Sequence, residues 1–182
     1  MIIEILAALY LFLPAYIANM MPVFAARLGI LRFLDVSIDA GFTIGGKALF
    51  GRNKTVRGFV VGISGGLIVG VLQFLFAEEM QALSLVSYDA LPFNLGLAFL
   101  LSFGALVGDS VKSFLKRRIG KKPGSQWLFA DQIDYVLGGL LFMLLLYKPS
   151  LFTLITILIF SPIATAVSNV IGYWINVKKV WW

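Results

Sequence analysis

The chain has 182 residues, of which 60% are hydrophobic and only 13% charged, and its mean hydropathy of +0.94 excludes an ordinary soluble globular domain and places it in a bilayer. Cysteine and histidine are both absent, so disulfides, thiolate nucleophiles, the usual zinc sites and imidazole acid–base chemistry are excluded as well. A net charge of +6 would suit nucleic acid, but the cations are sorted between the apolar stretches in a pattern that topology explains, and no nucleic-acid partner is expected.

Five stretches can each cross the roughly 30 Å hydrocarbon core: about 3–21, 58–77, 93–108, 127–147 and 151–175. They predict an all-α integral membrane protein of five transmembrane helices, folded as a single domain over 1–182. The first stretch lacks a basic start and a small-residue cleavage site, and runs on through Pro14 to Met21, so it reads as a retained span. Every Lys and Arg except Lys148 falls after span one, span three or span five, whereas Glu78, Glu79 and Asp89 lie in the opposite loops. The positive-inside rule then puts the N-terminus outside and the C-terminus in the cytoplasm, with two basic cytoplasmic loops and a multi-pass chain in the cell membrane. Trp127, Trp174, Trp181 and Trp182 fall near that cytoplasmic interface, where an amphipathic ring is stable.

The first basic loop, from Pro22 to Arg57, contains a run from Gly41 to Gly58 in which glycines alternate with cations and with hydroxyl or amide side chains. Exposed backbone N–H groups beside Lys and Arg suit phosphate oxygens, which points to Lys54, Thr55 and Arg57. The spacing is not that of a P-loop. Span two follows, with Gly58, Gly62, Gly66 and Gly70 at strict four-residue intervals and Gly65 beside them, a smooth face for close helix packing. Gly104 and Gly108 on span three, and Gly138 with Gly139 on span four, predict similar contacts.

After span three, residues 109–119 read as a separate short helix, because Asp109, Lys112, Ser113 and Lys116 recur at helical spacing on one face. The run Gly120-Lys121-Lys122-Pro123-Gly124 ends it and turns the chain toward span four. Asp131 and Asp134 lie one turn apart at the start of that span, so their carboxylates share a face. If spans three and four are neighbours, Asp109 reaches the same depth. Ionisable groups at membrane depth are costly, by at least about 2.5–3.5 kcal/mol on the insertion scale, and mark function. Hard oxygen ligands without His or Cys select Mg²⁺, with Mn²⁺ as an alternative, so Asp109, Asp131 and Asp134 are the metal-ligand candidates. Asn19 and Asn169 are polar residues at the cytoplasmic ends of spans one and five that could line the same chamber.

Gly108-Asp109, Ser113, Lys116-Arg117 and then Asp131-Gln132-Ile133-Asp134 resemble the signature of the membrane cytidylyltransferases that make CDP-diacylglycerol. Gln132 stands where the bacterial and eukaryotic pattern has arginine, and no His-Gly-Gly precedes the acids. These departures, the short chain, the Pro14–Pro22 segment, the Gly51–Gly58 run and the Asn169 region resemble the archaeal branch, the CDP-archaeol synthases.

The resemblance implies transfer of CMP from CTP to the phosphate of an isoprenoid ether lipid, 2,3-bis-O-geranylgeranylglycerol 1-phosphate, with release of pyrophosphate at the cytoplasmic face. It implies Mg²⁺ on Asp109, Asp131 and Asp134, with Lys116 in the catalytic set. Lys54, Thr55, Arg57, Lys112, Ser113 and Arg117 would hold nucleotide or phosphate, and a homodimer is compatible with it. CDP-alcohol phosphotransferases are a rival class, but their Asp-Gly-x2-Ala-Arg motif is missing and their final acids are more widely spaced. A small transporter or lipid-binding protein is a second alternative, against which the outer halves of spans two to five, nearly free of ionisable groups, argue.

Overall fold

The computed structural model describes residues 1–121, 125–127 and 129–175. Lys122 and the Pro123-Gly124 part of the predicted turn, with Lys178, Lys179, Trp181 and Trp182, lie outside the described residues. The described chain forms helices α1 (Ile2–Leu11), α2 (Leu13–Leu28), α3 (Val56–Leu75), α4 (Leu91–Arg118), α5 (Ala130–Met143) and α6 (Leu151–Trp174). Single 3₁₀ turns occupy Arg32–Leu34 and Gln81–Leu83. The structure is mostly helical rather than wholly so, because β1 (Thr43–Ile44) and β2 (Lys47–Ala48) pair antiparallel in the first basic loop.

By length and composition α3, α4 and α6 can each cross a membrane, and α1 with α2 makes up one further span if the bent pair is counted together. The predicted first span is therefore not one straight helix: it breaks at Phe12 with a 52° bend and continues to Leu28. Pro14 explains the break, since it has no N–H to offer the Tyr10 carbonyl one turn back. That carbonyl accepts instead from Nε2 of the buried Gln73 on α3, at 2.7 Å. Gly29 ends α2 in the left-handed conformation at φ 66°.

Two further boundaries differ from expectation. Residues 109–118 are not a separate helix; α4 runs unbroken from Leu91 through Gly108 to Arg118. The reason is packing, because Gly108 lies against the Asp134 backbone and Gly138, which holds the helix straight where Gly-Asp suggests a break. Conversely α5 has only 14 residues, about 21 Å at about 1.5 Å per residue, shorter than the stretch 127–147 predicted for it.

Glycines bring the helices together as expected. A Cβ on Gly62 would lie 2.8 Å from the Ala18 carbonyl of α2 and 3.0 Å from Leu106 of α4, and one on Gly70 would lie 2.6 Å from Ala98. A Cβ on Gly104 would lie 2.5 Å from the Gly138 carbonyl, so α4 and α5 touch backbone to backbone. Gly58 is the exception, with only ordinary contacts to Thr55 and Pro22. Between these seams Leu11, Phe12, Leu101, Tyr135, Val136, Met143 and Ile157 form the apolar core.

Candidate active site

Close α4–α5 packing brings the acids together. Lys112, one turn beyond Asp109 on α4, places its Nζ 2.9 Å from Asp109 Oδ1, 3.1 Å from Asp131 Oδ1 and 2.6 Å from Asp134 Oδ2. One ammonium is thus shared by the three carboxylates expected to converge. Lys116, a further turn along, donates to Asp131 Oδ1 at 2.6 Å and to the Ser125 carbonyl at 2.8 Å. Asp131 Oδ2 also accepts from the Trp127 backbone N–H at 2.7 Å, which ties the preceding segment to the first turn of α5. From the first basic loop, Lys54 forms an ion pair with Asp109.

These groups wall a cavity of about 850 Å³, inside the roughly 300–1,000 Å³ range of small-molecule sites. Asp109, Lys112, Lys116, Asp131 and Asp134 form one side, and Lys54, Thr55 and Arg57 the other. Thr55 caps α3 by accepting from the Gly58 N–H at 3.1 Å, which fixes the direction of Arg57 in the first turn. The Arg57 guanidinium is buried and pairs with Asp35 at 2.9 Å.

Asn19 of α2 and Asn169 of α6 line this cavity and also a second one of about 230 Å³, whose wall is otherwise mostly apolar, including Tyr16, Ile17, Met20 and Phe24. Val23 and Thr165 are likewise common to both, so the polar chamber adjoins an apolar groove between α2 and α6.

Two predicted residues are not brought to the chamber wall. Ser113 returns its hydroxyl to the Asp109 carbonyl at 3.0 Å, and Arg117 is buried beneath the turn at Gly51. Others went unrecognised: Arg27, Asp35, Arg52 and Asn53 line the chamber. Arg52 and Asn53 adjoin Lys54 in the glycine-rich run and could have been included on that ground. Asp35 had no local signal, since a lone loop carboxylate declares no partner.

Three carboxylates around one point are of the donor type that a hard divalent cation takes, and Asp134 is buried, its side chain 7% exposed, with Lys112 Nζ 2.6 Å from its Oδ2. The position at their focus is filled by Lys112 Nζ, and among the described residues no three acids are spaced as ligands of a single ion.

A chamber of this kind can bring a polyphosphate from water against the headgroup of a lipid, which is the task of a membrane nucleotidyltransferase. Known proteins agree with that class. The family model described as CarS-like CDP-archaeol synthase matches residues 1–182. CDP-archaeol synthase of Methanoculleus marisnigri is 40% identical over 178 residues, 93% of this chain and 99% of that protein. That of Archaeoglobus fulgidus is 39% identical over 186 residues, 98% of each chain. A solved structure, reported as structural insight into an intramembrane enzyme for archaeal membrane lipids biosynthesis, superposes with a TM-score of 0.73 at 29% identity, covering 89% of this chain and 92% of that one.

The chain belongs to the CDP-archaeol synthase family. It is a membrane enzyme of the CTP-dependent cytidylyltransferase class.

Proposed function

We propose that this protein transfers CMP from CTP to the phosphate of 2,3-bis-O-geranylgeranylglycerol 1-phosphate, in a Mg²⁺-dependent reaction at the cytoplasmic face, releasing pyrophosphate. The observation that carries the proposal is that the two cavities adjoin and share Asn19, Val23, Thr165 and Asn169 in their walls. A nucleotide approaching from water and a lipid approaching from the bilayer meet there, beside the carboxylates. In this reading Tyr16, Ile17, Met20 and Phe24 take an isoprenoid chain, and Asn19 and Asn169 face the polar headgroup.

An oxygen of the lipid phosphate bonds to the α-phosphorus of CTP as the bond from that phosphorus to the bridging oxygen breaks, and the electron pair leaves on pyrophosphate. A lipid phosphate is already ionised near neutral pH, so the step needs no proton-abstracting base, in keeping with a chain that has no histidine. Catalysis then rests on position and on charge neutralisation. Lys54, Arg57 and Lys116 hold phosphate oxygens by charge-assisted hydrogen bonds and offset the charge that grows on the departing pyrophosphate. Thr55 orients that side of the chamber. Ser113 and Arg117 support the helix and loop from behind and are not assigned to the nucleotide.

Asp109, Asp131 and Asp134 would hold the metal. A bound Mg²⁺ or Mn²⁺ supplies Lewis-acid polarisation of the phosphoryl oxygens. Lys112 is then free to pair with phosphate. The segregation of Lys and Arg supports five spans with the N-terminus outside and the chamber toward the cytoplasm.

The test is incorporation of labelled CTP into lipid-extractable product by purified protein, with the geranylgeranyl ether phosphate or with diacyl phosphatidic acid. Product is expected from the ether lipid, lost without divalent metal and reduced about 100-fold or more in Asp131→Asn, the scale of a lost electrostatic stabiliser. No product from correctly folded protein with either lipid would overturn the proposal. Equal product from both would overturn its lipid specificity.

A further inference from the structure

The loop between α2 and α3 delivers Arg52, Asn53, Lys54 and Thr55 to the chamber wall, yet its central part contains no helix that could hold them in place. The side chain with most hydrogen bonds at its neck is that of Asp39, which is 7% exposed and does not line the chamber. Asp39 Oδ1 accepts from the Ser37 hydroxyl at 2.5 Å and from the Gly41 N–H at 3.1 Å. Its Oδ2 accepts from the Phe50 and Gly51 N–H groups at 2.9 and 3.0 Å.

The donors come from both ends of the β1–β2 hairpin, so one side chain closes the loop at its neck. Gly41 and Gly51 have φ of 80° and 93°, a left-handed backbone that turns their N–H groups inward and that a side chain would strain. An unsatisfied buried carboxylate would be costly, so the four donors and Asp39 require one another.

The neck continues directly into the chamber. Ile38 N–H donates to the Lys54 carbonyl at 2.9 Å, and Val56 N–H to the Val36 carbonyl at 2.9 Å. Lys54 is therefore gripped by its backbone one residue from Asp39's own attachment, while its ammonium rests on Asp109. Arg118 secures the opposite end, donating to the carbonyls of Ile44 at 2.7 Å, Lys47 at 3.0 Å and Ala48 at 2.7 Å. It grips the hairpin tip and leaves the neck untouched.

We propose that Asp39 is the positioning residue of the nucleotide side of the active site: its carboxylate closes the 37–51 loop so that Lys54 and Thr55 meet the phosphates of CTP. The inference rests on the proposed cytidylyl transfer, and it separates the two substrates. Loosening the neck moves Lys54 and Thr55, which face the nucleotide, and leaves the α2–α6 groove, which faces the lipid, unchanged.

The experiment compares Asp39→Ala, Asp39→Asn and Arg118→Ala with the unmodified protein, in steady-state kinetics and in tryptic cleavage after Arg52 and Lys54. Asp39→Ala is expected to raise KM for CTP about tenfold or more, the scale of one lost charged hydrogen bond, with KM for the lipid phosphate unchanged. Asp39→Asn keeps one acceptor and its shape, so it raises KM for CTP less and tests the idea even if the alanine variant fails to fold. Arg118→Ala is expected to leave KM for CTP nearer that of the unmodified enzyme.

A fall in kcat with both KM values unchanged, or an equal rise in both, would reduce Asp39 to general structure and overturn the inference. If the unmodified protein forms no product, the proposed function fails first, and cleavage decides the loop. Cutting about tenfold or more faster in Asp39→Ala supports a neck closed by this carboxylate, and equal rates refute it.

Discussion

The wall that carries Asp109, Asp131 and Asp134 stands on backbone contact between α4 and α5, whereas the wall that carries Lys54 and Thr55 hangs on side-chain hydrogen bonds within a loop. The first is a product of shape. Gly104 and Gly108 meet Gly138 with no side chain between the helices, so the depth of the acids is set by rigid elements. The second is a product of polar satisfaction: remove the acceptor at its neck and four donors lose their partner, leaving the backbone bonds of Ile38 to Lys54, Val56 to Val36 and Leu49 to Phe42 to cross the loop. One wall therefore resists small electrostatic changes and fails on added volume, and the other behaves in the opposite way.

Gly138→Val is the most severe way to break the first wall. Its added carbon would enter the Gly104 carbonyl and press within 2.8 Å of Gly108 Cα and 2.9 Å of Gly108 N. Backbone cannot turn aside as a side chain can, so the helices must part and the carboxylates with them. The expected cost lies at or above the top of the roughly 1–3 kcal/mol typical of overpacking. Thermal unfolding in detergent is expected to show a large fall in Tm, with product formation lost altogether; a Tm within a few degrees of the unmodified protein would refute rigid placement of the acids by this seam.

Much of this wall was legible in the sequence because its signals are periodic. Four-residue glycine spacing predicts close packing, and two aspartates one turn apart predict a shared face. The continuity of α4 was not legible, since Gly108-Asp109 resembles a helix end until the partner that fills the glycine notch is known. The short α5 was hidden for a related reason: the apolar residues after Met143 continue the hydropathy although the helix has ended. Lys112 was assigned to phosphate from its charge, and only three-dimensional convergence reveals it among three acids. In the loop, the cations of the Gly41–Gly58 run were readable and the carboxylate that organises them was not, because its donors lie up to 12 residues away.

Acid sharpens the contrast from the other side. Burial by itself raises the pKa of Asp39, but the Ser37 hydroxyl and the N–H groups of Gly51, Phe50 and Gly41 outweigh it and hold the carboxyl well below the usual carboxylate range. A group depressed in the folded state contributes its full stability above the unfolded value, about 3.9 for Asp, and loses it as pH falls toward the folded value. The Tm difference between the unmodified protein and Asp39→Asn is therefore expected to be flat from about pH 8 to about pH 5, and to shrink below about pH 4. A difference that shrank between about pH 8 and about pH 6 would mean that another group closes the neck.

The smallest expected effect tests whether glycine as such, or glycine in the seam, sustains the first wall. Gly96 lies on α4 like Gly104 and Gly108, but a Cβ there would meet only the Leu146 Cδ2 methyl at 3.4 Å, the end of a flexible side chain. Alanine is favoured over glycine inside a helix by about 0.8–1.0 kcal/mol, and a yielding methyl contact takes back part of that. Gly96→Ala is therefore expected to leave activity intact and Tm equal or slightly raised. A fall in Tm like that of Gly138→Val would show that α4 needs glycine along its whole length for flexibility, and the distinction between a notch that admits a neighbouring backbone and a glycine that merely tolerates one would be lost.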